Sequence, residues 1–93
     1  MTPAEKRKHI SKASGAIIRE LETPHEVYYN LTTATGILVG MAVTDLISEK
    51  DFTRIINILS TMSDDILFEN HTLYKAKTRT IATILKEVAR GVE

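Results

Sequence analysis

Glu26–Glu49, EVYYNLTTATGILVGMAVTDLISE, is the stretch whose reading decides the fold. From Leu31 to Thr44 it carries no charge, and its apolar residues fall on almost every side of a helical wheel. A helix that is apolar nearly all round belongs in an interior. In a chain of 93 residues the other segments must wrap around it, or a second copy must cover it. The expectation is an all-α, compact four-helix bundle-like domain over residues 1–93, with a long buried central helix at about 24–48.

Helix signals lie on both sides of this stretch. Thr2-Pro3-Ala4-Glu5 places a capping hydroxyl, a proline at the first helical position and an acid at the third. The apolar residues Ile10, Ala13, Ile17, Ile18 and Leu21 then follow one helical face to about Glu22. Thr23-Pro24-His25-Glu26 repeats the start signal and predicts a sharp turn into the second helix. Inside that helix Gly36 and Gly40 stand one turn apart, with Thr32 extending the row. Each glycine costs about 1 kcal/mol relative to Ala, so the row is expected to accommodate a close backbone. Ser11 and Gly15 offer a matching row on the first helix, and a seam between two copies is the competing use.

Ser48-Glu49-Lys50-Asp51 opens the third helix, whose apolar face is Phe52, Ile55, Ile56, Leu59 and Met62. Ser63-Asp64-Asp65 is expected to end it, with Ile66, Leu67 and Phe68 tucked under the bundle. Asn70 caps a fourth helix that runs to about Arg90, with Gly91 as its stop. Ile81, Ile84, Leu85 and Val88 form its apolar face.

Composition narrows the chemistry. Without Cys there are neither disulfides nor thiolate metal sites. Without Trp, and with two Phe and three Tyr, stacking platforms for single strands are not evident. The uncharged run is shorter than the ~20 residues of a membrane span, and no apolar signal core follows the charged N-terminus. A cytoplasmic location and no membrane partner are expected. His9, His25 and His71 lie far apart near helix ends, and His25-Glu26 lacks the second His of a metalloprotease motif. Asp64-Asp65 reads as capping and solvated charge. No catalytic residue, cofactor or metal is expected, and the chain is read as a non-enzyme.

A net charge of zero hides segregation. Residues 1–19 carry +4, residues 20–69 carry −7 and residues 70–93 carry +3. Basic end helices thus flank an acidic middle. Their charges could be matched within the folded chain, between copies, or by an anion held where the first turns of helices 1 and 4 meet. Asn70, His71, Tyr74, Lys75 and Arg79 form the best anion or ligand site, since free N–H groups at a helix start favour phosphate. Lys75 and Arg79 share a face, while Lys77 points elsewhere. Lys6, Arg7 and Lys8 make a second basic patch. The interface candidates are Tyr28, Tyr29, Thr32, Gly36 and Gly40, with one tyrosine expected to be buried and the other exposed as an anchor.

These features lead to a small, non-enzymatic, oligomerising interaction protein. A regulator or inhibitor that binds a host macromolecule or an anionic or nucleotide ligand is expected; its size is that of accessory proteins of phages and mobile elements. The alternative is a helix-turn-helix-like regulator that reads nucleic acid with the Lys75–Arg79 stretch. The long Ser63–Thr72 turn counts against it.

Overall fold

The computed structural model describes residues 1–23 and 27–93. Four helices follow in order: α1 (Pro3–Glu22), α2 (Val27–Val43), α3 (Glu49–Leu67) and α4 (His71–Arg90). The expected all-α bundle is what forms. Helices of 17 to 20 residues are about 25–30 Å long. In a body of 43 × 19 × 17 Å they fit only along the long axis. Short connections then make neighbours antiparallel. The helices close a ring in which α1 packs on α2, α2 on α3, α3 on α4 and α4 on α1. The diagonal pairs α1–α3 and α2–α4 have no close backbone approach.

Three of the expected caps hold these helices. The Thr2 Oγ1 accepts from the Glu5 N–H at 3.1 Å, and Pro3 follows it. The Ser48 Oγ accepts from the Asp51 N–H at 3.2 Å, and the Asn70 Oδ1 accepts from the Leu73 N–H at 3.2 Å. Each cap satisfies an N–H that the helix itself leaves free. The start signal at Pro24-His25-Glu26 lies outside the described residues. Val27–Leu31, which two Tyr and a Val left open to an extended form, is helical.

Two helix ends differ from the sequence-based boundaries. The second helix stops at Val43 rather than near Ser48, because Asp45 enters the left-handed region at φ 59°. The Leu46 N–H then donates to the Met41 carbonyl and the Asp45 N–H to the Ala42 carbonyl. This is a Schellman motif with Asp in place of Gly. The same motif ends α3, with Glu69 at φ 56°, Asn70 N–H donating to Asp65 O at 2.7 Å and Glu69 N–H to Ile66 O at 3.1 Å. Hence α3 continues through Ser63-Asp64-Asp65 to Leu67, and the α3–α4 connection is three residues, not ten. Ile66 packs against the core, but Leu67 and Phe68 do not tuck under the bundle; Phe68 is 76% exposed. The long turn expected to count against a helix-turn-helix is thus absent; what α3 and α4, both laid along the long axis, lack is the 90–120° crossing of that motif.

Nor does any helix occupy the centre. In a ring of four each helix is a corner, so α2 turns only the stripe Leu31, Ala34, Leu38 and Met41 inward. These meet Ile10, Ile17 and Leu21 of α1 and the buried residues of α3 and α4 in one cluster. Asn30 is buried in register with this stripe, and Ile37 and Ala42 flank it half-buried; the opposite side of α2 faces outward, so the expected burial of the whole helix is not realised. The core also contains charge. Asp65, 6% exposed, lies 2.7 Å from the Lys77 Nζ, a contact without the alignment of a hydrogen bond. It ties α3 to α4.

Lys77→Met should destabilise the fold by about 3 kcal/mol, since it leaves a buried carboxylate without its counter-charge. Asp65→Leu with Lys77→Met should recover most of that loss in denaturant titration. Glu69→Gly, which relieves a left-handed non-glycine residue, should raise stability by about 0.5–1 kcal/mol and raise Tm.

Candidate functional site

The side chains expected to bind anions at the start of α4 are largely committed elsewhere. Asn70 spends its carbonyl oxygen on the cap of its own helix. The Tyr74 hydroxyl donates to the Leu21 carbonyl at 2.8 Å, one of the carbonyls that the end of α1 leaves free. Its ring packs against the core, and burial pushes the phenol above its ordinary value of 10.0. Tyr74 is therefore a strut between α4 and α1, not an open stacking face. His71 is exposed. Lys75 and Arg79 do share a face, and with Leu21, Glu22, Tyr74 and Thr78 they line a shallow groove of about 320 Å³. The Glu22 carboxylate there opposes an anion.

The second basic patch divides in the same way. The Arg7 Nη1 donates to the Val92 carbonyl at 3.1 Å and pins the C-terminus to α1. Lys6 lines a recess that also holds Asp45, Asp51, Glu87 and Glu93. Lys8 is exposed. The first turns of α1 and α4 do not meet. Arg7 contacts the end of α4 and Tyr74 contacts the end of α1, so antiparallel packing sends the two patches to opposite ends of the bundle.

Charge is divided unevenly between the two halves of the bundle. The two neighbouring helices α1 and α4 carry ten Lys or Arg against four acids, while α2 and α3 together carry two against four. Among the described residues the ion pairs are Lys77–Asp65 and the local Arg54–Asp51. One long side of the bundle is therefore basic, and among the described residues its cations other than Lys77 form no ion pair.

The interface candidates of α2, in contrast, come together. Tyr28, Tyr29, Thr32, Gly36 and Gly40 are all exposed, joined by Val39 and Val43. At 100° per residue these seven positions occupy an arc of about 120°. Tyr28 is 55% and Tyr29 65% exposed, so both are outside, against the expectation that one is buried. Two residues 100° apart fit within a face that wide. The row Ser11–Gly15 does not dock on Gly36 and Gly40 either. A Cβ built at Gly15, Gly36 or Gly40 meets nothing within 4 Å. The outer face of α2 is thus uncharged, partly aromatic and unpartnered within the chain.

Among the described residues no three His, Asp or Glu converge on a point that could hold a metal ion. No described helix is long and apolar enough to cross a membrane. The sequence-based reading did not anticipate the buried polar pair Asn30 and Asp65. Both stand in register with apolar stripes, Asn30 with Ala34 and Met41, and Asp65 with Met62. That phase was the available signal. The Asn30 Nδ2 donates to the Thr23 carbonyl at 3.1 Å, tying α2 back to the end of α1. Comparison with protein families, with curated proteins and with solved structures finds no match to this chain.

Tyr74→Phe should cost about 1 kcal/mol at neutral pH by leaving the Leu21 carbonyl without its donor. Because the folded phenol titrates above its unfolded value of 10.0, its contribution is complete below pH 10 and is lost as pH rises from there through the folded pKa. Chemical denaturation between pH 9 and pH 12 should therefore show a shallower alkaline loss in the Phe variant than in the parent.

Proposed function

We propose that this chain is a non-enzymatic interaction module that self-associates through the outer face of α2. The observation that carries the proposal is the pair Gly36 and Gly40. Each costs the helix about 1 kcal/mol relative to Ala, and among the described residues nothing lies close enough to require it. An external helix backbone in that groove would require both. Tyr28 and Tyr29 near one end of α2, and Val39 and Val43 towards the other, supply apolar walls.

A second copy is the occupant that this face fits best. A twofold contact sets a surface against itself, so like charges on it would repel. From Val27 to Val43 there is no charge to repel. Antiparallel pairing would set Tyr28 and Tyr29 of one copy against Val43 of the other. A single-helix seam lies at the small end of interface sizes, so affinity in about the micromolar range is expected. Association through an uncharged seam also differs from pairing of basic ends with an acidic middle in its response to salt. The first is indifferent to ionic strength or strengthened by it, and the second weakens.

The anion-binding alternative at the start of α4 has less support. The Asn70 Oδ1 already takes the Leu73 N–H that an anion would need, the Tyr74 hydroxyl is occupied, and Glu22 shares the groove with Lys75 and Arg79.

Light-scattering mass across a concentration series should give a salt-indifferent dimer for the parent chain. Gly40→Leu should give a monomer with unchanged helix content. Gly36→Ala and Gly40→Ala should each stabilise the dissociated chain by about 1 kcal/mol in denaturant titration while weakening association. A parent chain that stays monomeric at every concentration, or a dimer untouched by Gly40→Leu, would remove the proposal.

A further inference from the structure

A second groove lies between α1 and α4, on the basic side of the bundle. It encloses about 460 Å³. Its floor is built from small and aliphatic side chains, chiefly Ser14, Gly15, Ile18, Ala82, Leu85 and Ala89. Ser11 and Glu22 mark its extent along α1, a run of ~16 Å or three helical turns. Two details suggest that the groove is unfilled within the chain. A Cβ at Gly15 would meet open space, although α1 is weakened by having glycine in its interior. The Ser14 Oγ is buried and has no hydrogen-bond partner among the described residues.

The rims carry the charge. On α1, Lys8, Lys12 and Arg19 run in register with Gly15, at i, i+4 and i+11. On α4, Arg79, Lys86 and Arg90 run beside Ala82 and Ala89 in the same way. All six are exposed, and among the described residues none has an acid within ion-pair distance. Glu22 is the acid among the groove's lining residues, at one end.

From this juxtaposition we infer that the α1–α4 groove receives an acidic amphipathic helix of a partner protein. An apolar ridge of residues three and four apart would lie on the small-residue floor, where Gly15 lets it come close. Acids on both flanks of that helix would meet the six rim cations, which form no ion pair among the described residues. A helix donor or hydroxyl could satisfy the Ser14 Oγ. Nucleic acid would use the rims but not the floor, because a phosphate backbone has no apolar ridge to bury and the floor has no aromatic ring for a base. Self-association through α2 is not required, since the outer face of α2 is turned away from α4, its diagonal partner.

The test is fluorescence anisotropy with the full chain and a labelled synthetic helix of about 16 residues, ~24 Å long. The peptide carries Leu and Ala in three-and-four spacing, with Glu on both flanks. A scrambled peptide of the same composition and a short DNA duplex of similar charge are measured beside it. The amphipathic peptide should bind one per chain, at least about tenfold more tightly than the scramble or the duplex, a difference of about 1.4 kcal/mol. Gly15→Leu should fill the groove and weaken binding at least about tenfold, with helix content retained because its side chain enters open space. Lys12→Glu with Lys86→Glu should weaken it similarly and flatten its salt dependence. The inference is overturned if the peptide does not bind, if the scramble binds equally, if the duplex binds more tightly, or if both variants bind as the parent does.

Discussion

The structure depends on which stripe of α2 turns inward. Leu31, Ala34, Leu38 and Met41 are spaced three and four apart, and their burial against Ile10, Ile17 and Leu21 sets the rotation of the helix. Each fully buried Leu or Met contributes roughly 1.5–3 kcal/mol, more than any cap or surface ion pair in the chain can supply. Once that stripe is inside, Tyr28, Thr32, Gly36, Val39 and Val43 are necessarily outside. The exposure of that face follows from the rotation.

Polar ties hold the rotation in place. The Asn30 bond to Thr23 fixes the start of α2 to α1, and the Schellman turn at Asp45 fixes its end. Tyr74 to Leu21 and Arg7 to Val92 join α4 to α1 at the two ends of the bundle. Lys77 and Asp65 join α4 to α3. The hydrogen bonds among these ties are directional, so they oppose slippage of one helix along another, where a purely apolar core would tolerate it. They also remove side chains from the pool available for binding. Tyr74 and Asn70 look like ligand contacts in the sequence, yet both spend their hydrogen bonds holding helices.

Two surfaces remain without use inside the chain, and they differ in chemistry. The outer face of α2 has no charge and two glycines with open space above them. The α1–α4 side has an excess of cations, set around a small-residue groove with Glu22 at one end. A neutral face can meet its own copy, and a basic one meets something acidic. The proposed module therefore has two separate docking faces, and neither needs a catalytic group.

Helix number, the starts of α1, α3 and α4 and most of the core were legible in the sequence. Caps at Thr2, Ser48 and Asn70 are local, since a side chain meets an N–H three residues away, and apolar spacing marks Ile10, Ile17, Ile55, Leu59, Ile81 and Ile84 without knowledge of any partner. Helix ends at Asp45 and Glu69 were not legible, because the left-handed residues there are acids and not the glycine that usually announces such a turn. Only the tertiary structure decided the orientation of α2. A sequence apolar on all sides ranks its faces too evenly, and closing a ring of four helices leaves each of them one outward side. The same ring set α1 beside α4 and so gathered cations that the chain carries at its two ends, because antiparallel packing depends on which helices are neighbours and not on their distance in sequence.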